Sequence, residues 1–190
     1  MTDGGEGDGR FPELRAHLLE HSVRLGDFTL KSGRKSSWFI DSKQTVCRPE
    51  AMLLVADAVL SLLPGEATAI GGLTMGADPV AFVTAGVAAT RGRALKAFSV
   101  RKETKDHGAG GRIAGALDPG DMVVVTEDTV TRGTSRLEAA HVIRDAGAEV
   151  VLLVAVVDRG GTVEARAAAE GLPFRAVLTA PDLGFPYEGA

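Results

Sequence analysis

The sequence predicts an α/β fold, a central and mostly parallel sheet flanked by helices, with a small N-terminal hood. Three observations lead there. Beyond residue 49, apolar β-branched runs alternate with helical patterns, as in successive βα units. The runs over 122–127 and 150–157 are largely apolar, as strands covered on both faces are. Directly after the first run come two acids and a Thr/Gly/Ser stretch, which places a ligand-binding edge at the carboxyl end of a buried strand.

The N-terminal elements come first. Residues 1–10 are rich in Gly and Asp and predict a disordered tail. Pro12 opens a helix over 12–21, with Leu14, Leu18 and Leu19 on one face. Short strands over 28–31 and 37–41, joined by the turn Ser32-Gly33-Arg34-Lys35, complete a hood of residues 11–48, expected as a separate layer over one edge of the core. The core is 49–190. Pro49 starts a helix over 50–63, stopped by Pro64-Gly65. Strand 68–72, helix 79–89 and strand 94–100 come next, then a long polar loop. Strand 122–127, helix 134–146, strand 150–157, helix 162–170 and strand 174–178 finish the series, with no internal repeat.

Bulk composition excludes several classes. A formal charge of −4 gives no basis for bulk nucleic-acid binding, so anion sites must be local. Cys47 is the single cysteine, which excludes an intrachain disulfide and suits a reducing compartment. The longest apolar stretches, 52–63 and 150–157, are too short to span a membrane, and the N-terminus carries acids and glycines instead of a basic and apolar leader. The expected location is cytoplasmic.

The segment Val123-Val124-Val125-Thr126-Glu127-Asp128-Thr129-Val130-Thr131-Arg132-Gly133-Thr134-Ser135 carries the chemistry. Glu127 and Asp128, at the end of a buried strand, can accept hydrogen bonds from sugar hydroxyls. Thr129 to Ser135 then offer backbone N–H groups and hydroxyls at a helix N-terminus, which suits a phosphate. Solvated turn acids are the bland reading, and the ordered succession of strand, acids and cradle argues against it. The segment resembles the phosphoribosyl-pyrophosphate (PRPP) signature of the type I phosphoribosyltransferases.

Further segments narrow the resemblance. Arg101-Lys102-Glu103-Thr104-Lys105-Asp106-His107-Gly108 lies in a glycine- and cation-rich stretch without an apolar anchor before Ile113; it reads as a mobile loop, with a lid over 101–114. Its wording is similar to the catalytic loop of the orotate phosphoribosyltransferases. Gly26 to Asp41 resembles the segment with which that family covers the planar base: the resemblance assigns Lys31 to the substrates and Phe39 and Ile40 to the pyrimidine pocket. Asp158-Arg159-Gly160-Gly161 matches the position of an orotate-binding arginine, whose planar fork suits a carboxylate. The region Gly71 to Pro79 falls where the family places its pyrophosphate loop. Here the chain departs from many relatives, having no lysine between Lys43 and Lys96, and Arg132 stands where they have a small residue.

The resemblance implies the type I phosphoribosyltransferase fold and the reaction of orotate with PRPP to orotidine 5′-phosphate and pyrophosphate, a step of pyrimidine biosynthesis. It implies Mg²⁺ as cofactor, with Lys102, Lys105, His107 and Asp128 as catalytic residues. PRPP falls to Lys31, Arg101, Lys102, Lys105, His107, Glu127, Asp128 and residues 129–135, and orotate to Lys31, Phe39, Ile40, Thr131 and Arg159. A homodimer with shared active sites is implied too, without nucleic-acid or membrane partners. Two alternatives stay open: a purine phosphoribosyltransferase, and a non-catalytic PRPP-sensing regulator that binds nucleic acid. His17 and His21, four residues apart with no third ligand near in sequence, read as partly exposed helix histidines, as does His141. No protein-ligated metal site is expected.

Overall fold

The structure, a computed structural model, describes residues 10–29, 33–105 and 111–188. Pro12–His17 form α1, which runs through a π-helical turn, Leu18–Ser22, into strand β1 (Val23–Thr29). β1 pairs antiparallel with β2 (Lys35–Ile40). The first strand thus begins well before the expected 28–31. Its residues are mostly exposed, so burial leaves no alternating pattern in its sequence. A short α2 (Lys43–Val46) leads to α3 (Pro49–Leu60), whose Pro49 sits in the first turn, where its missing N–H leaves no gap.

The central sheet holds six strands in the order β5-β4-β3-β6-β7-β8. They are β3 (Ala69–Leu73), β4 (Lys96–Lys105), β5 (Gly111–Gly115), β6 (Met122–Val130), β7 (Glu149–Asp158) and β8 (Phe174–Thr179). All neighbours run parallel except the antiparallel pair β4–β5. Helices α4 (Ala77–Thr90), α5 (Thr134–Asp145) and α6 (Val163–Ala169) are the crossovers. The predicted mostly parallel α/β architecture is the observed one.

Two boundaries differ with consequences. The polar segment after residue 100 is not a loop throughout: β4 continues to Lys105 and returns as β5, with Val100 opposite Ile113 and Lys105 opposite Gly111. Backbone pairing of a hairpin needs no apolar side chains, which is why polarity misled. Likewise β6 runs past the acids to Val130, because β7 continues beside it to pair Thr129 with Val157 and Val130 with Asp158.

Packing unites the layers. Leu14, Leu18, Trp38, Ile40 and Val46 from the N-terminal layer are buried in one cluster with Val55, Ile70, Val80, Val154 and Leu178 of the sheet and its helices. Ala69, Phe98, Val123, Val125, Ile143 and Leu153 fill the other main cluster, which includes residues of α5. These N-terminal residues therefore share one core with the sheet. Two glycines in β3 permit close approach: a Cβ on Gly71 would lie 2.4 Å from the Phe98 carbonyl, and one on Gly72 2.4 Å from that of Thr126.

Candidate active site

Strand order reverses between β3 and β6, the point in an open α/β sheet where adjacent strand ends part and leave a crevice. The turn after β3 (residues 74–76) and the acids of β6 meet there. Ideal Cβ placement on Gly76 falls 2.8 Å from Asp128 Oδ1 and 2.9 Å from Glu127 Oε1. The absent side chain of Gly76 thus leaves a small space on which two carboxylate oxygens converge.

Asp128 is 4% exposed and tied on every side. Oδ1 accepts the Thr129 N–H at 2.8 Å; Oδ2 accepts the Ser42 hydroxyl at 2.8 Å and the Lys43 ammonium at 2.6 Å. Thr129 in turn donates its hydroxyl to Ser42 at 2.8 Å. Burial pulls the Lys43 pKa down, but the hydrogen bond and charge of Asp128, with Asp41 and Glu127 nearby, outweigh it and the pKa is raised. Ser42 and Lys43 went unread in the sequence, since their partner lies 86 and 85 positions away. Lys43 places a cation in the crevice of a chain whose turn after β3 has none.

Past Asp128 the strand ends in the expected cradle. Val130 turns its side chain into a small core cluster with Ala155 and Val163, and its carbonyl accepts the Arg159 N–H at 2.8 Å. Its side chain therefore belongs to the core. Gly133, at φ 72°, caps α5 and, being glycine, brings no side chain to cap it. The first N–H groups of α5 therefore face the loop, the arrangement that holds anions at helix N-termini. Thr131, Arg132 and Thr134 line the same turn, with Arg132 and Thr134 exposed and the Thr131 carbonyl accepting the Thr162 hydroxyl at 3.1 Å. Ser135 lies in the first turn of α5.

Asp78, in the first turn of α4, is held by Thr74 Oγ1 (2.7 Å) and Ser99 Oγ (2.6 Å). It buttresses the turn after β3. On β4, Lys102 is exposed, while Arg101 donates to the Gly111 carbonyl at 3.3 Å and so spans the hairpin. Lys105 closes β4. Lys31 and His107 lie outside the described residues.

Directly after β7, Arg159 is 6% exposed, not a surface-turn residue. Asp158 Oδ1 accepts the N–H groups of Gly160 (2.9 Å) and Gly161 (3.0 Å), folding the loop so that Arg159 points inward. A side chain at Gly160 is impossible, because its Cβ would sit 1.7 Å from the Thr131 carbonyl. Arg159 Nη2 donates to the Trp38 carbonyl at 2.9 Å, and the guanidinium lies 4.8 Å from the Trp38 ring centre and 5.7 Å from that of Phe39. It also pairs with Glu188 near the C-terminus. Burial lowers the Arg159 pKa, which the charge of Glu188 partly offsets, and an arginine stays charged all the same. Alternation along β2 turns Ser36, Trp38 and Ile40 inward and leaves Phe39 outward and 40% exposed. The Ile40 side chain thus packs in the core, whereas Trp38 and Ser36, unread as site residues, flank Arg159.

Folding brings a third ligand-bearing residue to the helix histidines: Glu50 joins His17 and His21, with ligand atoms within 4.8 Å of one another. His17 Nδ1 meets Thr45 Oγ1 at 3.0 Å and its Nε2 stands 3.7 Å from half-exposed Glu50. Among the described residues no helix is long and apolar enough to cross a membrane.

No family model matches the chain. Individual proteins do. The orotate phosphoribosyltransferase of Corynebacterium glutamicum (strain R) is 41% identical over 173 residues, 90% of this chain and 92% of that protein. That of Streptomyces avermitilis is 41% identical over 173 residues, 90% of this chain and 95% of its own length. Among solved structures, the Mycobacterium tuberculosis H37Rv orotate phosphoribosyltransferase in complex with Fe(III) dicitrate superposes with a TM-score of 0.82 at 38% identity, covering 93% of this chain and 99% of that one. The same enzyme in complex with PRPP gives 0.78 at 35% identity over the same shares. A Leishmania donovani adenine phosphoribosyltransferase, at 16% identity and a TM-score of 0.61, shares the fold alone. With the likeness extending over nine-tenths of the sequence, the chain belongs to the orotate phosphoribosyltransferase family.

Proposed function

We propose that this chain transfers the ribose 5-phosphate of PRPP to a ring nitrogen of orotate, forming orotidine 5′-phosphate and releasing pyrophosphate, in pyrimidine biosynthesis. The observation that carries the reading is the convergence of Glu127 and Asp128 over Gly76, next to the uncapped start of α5. One end of that crevice suits a ribose with its 5-phosphate; the other suits a departing pyrophosphate.

As the bond from the anomeric carbon to pyrophosphate breaks, the sugar becomes cationic and negative charge collects on the leaving group. Glu127 and Asp128 grip the ribose hydroxyls, and their charge favours the cationic sugar. The backbone of residues 129–135 cradles the 5-phosphate, with Thr131 reaching toward the base. Lys31, Arg101, Lys102, Lys105 and His107 neutralise the phosphates when the lid over 101–114 closes and excludes water. Arg159 and Phe39 orient orotate, with Ile40 contributing backbone alone. As the N–C bond forms the ring N–H proton is lost, and the departing pyrophosphate oxygens, on which negative charge collects, accept it.

The resident cofactor is Mg²⁺. Paired carboxylate oxygens facing a space that a single Cβ would fill are hard oxygen donors of the kind this cation takes, so Glu127 and Asp128 fit it. When bound, Mg²⁺ supplies positive charge to the phosphate oxygens. The working unit is a cytoplasmic homodimer with shared sites, built from a hood (11–48) and a core (49–190) and without nucleic-acid partners. Loss of orotate absorbance with purified protein, PRPP and Mg²⁺, run beside hypoxanthine and uracil, tests the reading. PRPP-dependent consumption of orotate supports it; turnover of hypoxanthine instead would refute it.

A further inference from the structure

Glu188, five residues beyond the 3-10 turn Pro181–Leu183, stands where a substrate carboxylate belongs. Its side chain and that of Arg159 are 9% and 7% exposed, and the two pair inside the hood. Three further contacts bring the C-terminal segment there. Phe185 stacks on Trp38 at 4.5 Å with the rings 11° from parallel. Tyr187 lies against Gly161, where a Cβ would come within 2.7 Å of its ring, and the Glu188 N–H donates to the Arg159 carbonyl at 2.9 Å. The second Glu188 oxygen takes the Ser36 hydroxyl.

The pair is nonetheless poorly satisfied. Arg159 Nε is buried without a hydrogen-bond partner, and Glu188 Oε2, though beside Nη2, is not in hydrogen-bonding alignment. An arginine edge offers two parallel N–H groups to a planar carboxylate, and Glu188 uses them incompletely. A better-aligned carboxylate would satisfy the donor that Glu188 leaves unpaired.

We propose that Glu188 is a specificity-determining residue: its carboxylate occupies Arg159 until a base bearing its own carboxylate displaces it. This rests on Arg159 as the orotate-binding arginine. A base without a carboxylate would have to uncover a buried guanidinium and a buried glutamate with nothing to pair either, which is unfavourable. Exchange of one carboxylate for another leaves the charge balance of the pocket unchanged. Glu188 thereby selects for an acidic pyrimidine over a neutral one, at the expense of some affinity.

The test is Glu188→Gln, which keeps the size and the acceptor for Ser36 but removes the competing charge, with deletion of residues 188–190 as a second variant. If Arg159 is free about one-fifth of the time, removing the competitor lowers the KM for orotate about fivefold, because apparent affinity scales with the competent fraction. The change falls on the KM for orotate and not on that for PRPP or on kcat, and both variants show it. An unchanged or raised orotate KM in both, with thermal unfolding cooperative as in the parent, overturns the proposal; a raised value would make Glu188 a strut that orients Arg159. Arg159→Gln separates the premise: if it leaves the orotate KM intact, the assignment of Arg159 fails, whereas a large loss there with no effect at Glu188 sinks this proposal alone.

Discussion

Replacing Asp128 by Asn changes one atom and removes one charge, and the surroundings determine how much that costs. The carboxylate accepts from the Thr129 N–H on one oxygen and from Ser42 and Lys43 on the other, at 2.6 to 2.8 Å. Either orientation of an amide turns its NH₂ toward a donor, Thr129 N–H or the Lys43 ammonium, so at least one bond is lost. Hydrogen bonds to charged groups contribute about 1.5–3 kcal/mol. Lys43 is 42% exposed and can rehydrate, so its share is discounted to under about 1 kcal/mol. A net loss of about 2 kcal/mol remains, which lowers Tm by about 4–8 °C in a chain of this length. Function suffers more. Loss of a preorganised charge beside the cationic sugar costs about 10²–10³ in kcat. Thermal unfolding and PRPP-dependent loss of orotate absorbance read the two effects separately. Lys43→Met added to Asp128→Asn should cost less than the sum of the singles, because one pair is removed twice; the coupling is about 0.5–3 kcal/mol. Normal turnover by Asp128→Asn would refute the ribose-gripping role, and strict additivity the Lys43–Asp128 link.

Other outcomes rest on the same geometry. Gly76→Ala pushes a methyl between Glu127 and Asp128 and should raise the PRPP KM about tenfold or more, equivalent to about 1.4 kcal/mol, with the fold intact; unaltered PRPP kinetics would show that the space is not used. Asp121 is buried, which alone would raise its pKa, but Lys96, the Asp118 N–H and the Thr68 hydroxyl hold it below the usual carboxylate value. Its stabilisation is therefore full above the unfolded pKa of about 3.9 and lost as pH falls through the lower folded value. Urea midpoints of the parent and Asp121→Asn should differ at pH 7 and converge below about pH 4; a constant gap would refute the linkage. Lys105→Ala should lower kcat by about 10² or more as a charge-neutralising group is lost, and an effect confined to orotate binding would end its lid role. Exhaustive chelation of divalent metal should abolish turnover, restored by Mg²⁺, and full activity without metal would exclude the cofactor.

What the sequence disclosed depended on how far apart the partners lie. Val123 to Val125 are completely buried, and three β-branched residues in a row could hardly be anything but a covered strand. The acids and the Thr/Gly cradle were legible because each step of strand, acid, turn and helix is encoded within thirteen neighbouring positions. Boundaries set by pairing were not. Thr129 and Val130 look like loop residues until β7 supplies their ladder, and Arg101 to Lys105 look like a loop until β5 returns beside them. Long-range partners were harder still: nothing near Asp128 announces Ser42, and nothing near Arg159 announces Ser36 or Glu188. Trp38 was within reach. The alternation Ser36, Trp38, Ile40 sets one face of β2 inward, and that face, not Phe39-Ile40 as a pair, is what meets the core.

These long-range contacts also explain what the N-terminal layer does. Two stretches a few residues apart touch two separate groups of the site: Ser36 and Trp38 meet Arg159, while Ser42 and Lys43 hold Asp128. Between them Ile40 is anchored in the shared core with Leu14 and Leu18. A strand followed by a short helix thus links Arg159 to Asp128, the groups proposed to receive the base and the sugar. Proximity of two reactants gains its large rate advantage only when their separation is held to within a fraction of an ångström. On the proposed roles this layer would set the separation of the two reactants, so a cavity at Ile40 should impair both Arg159 and Asp128, whereas a change at Asp158 should disturb Arg159 alone.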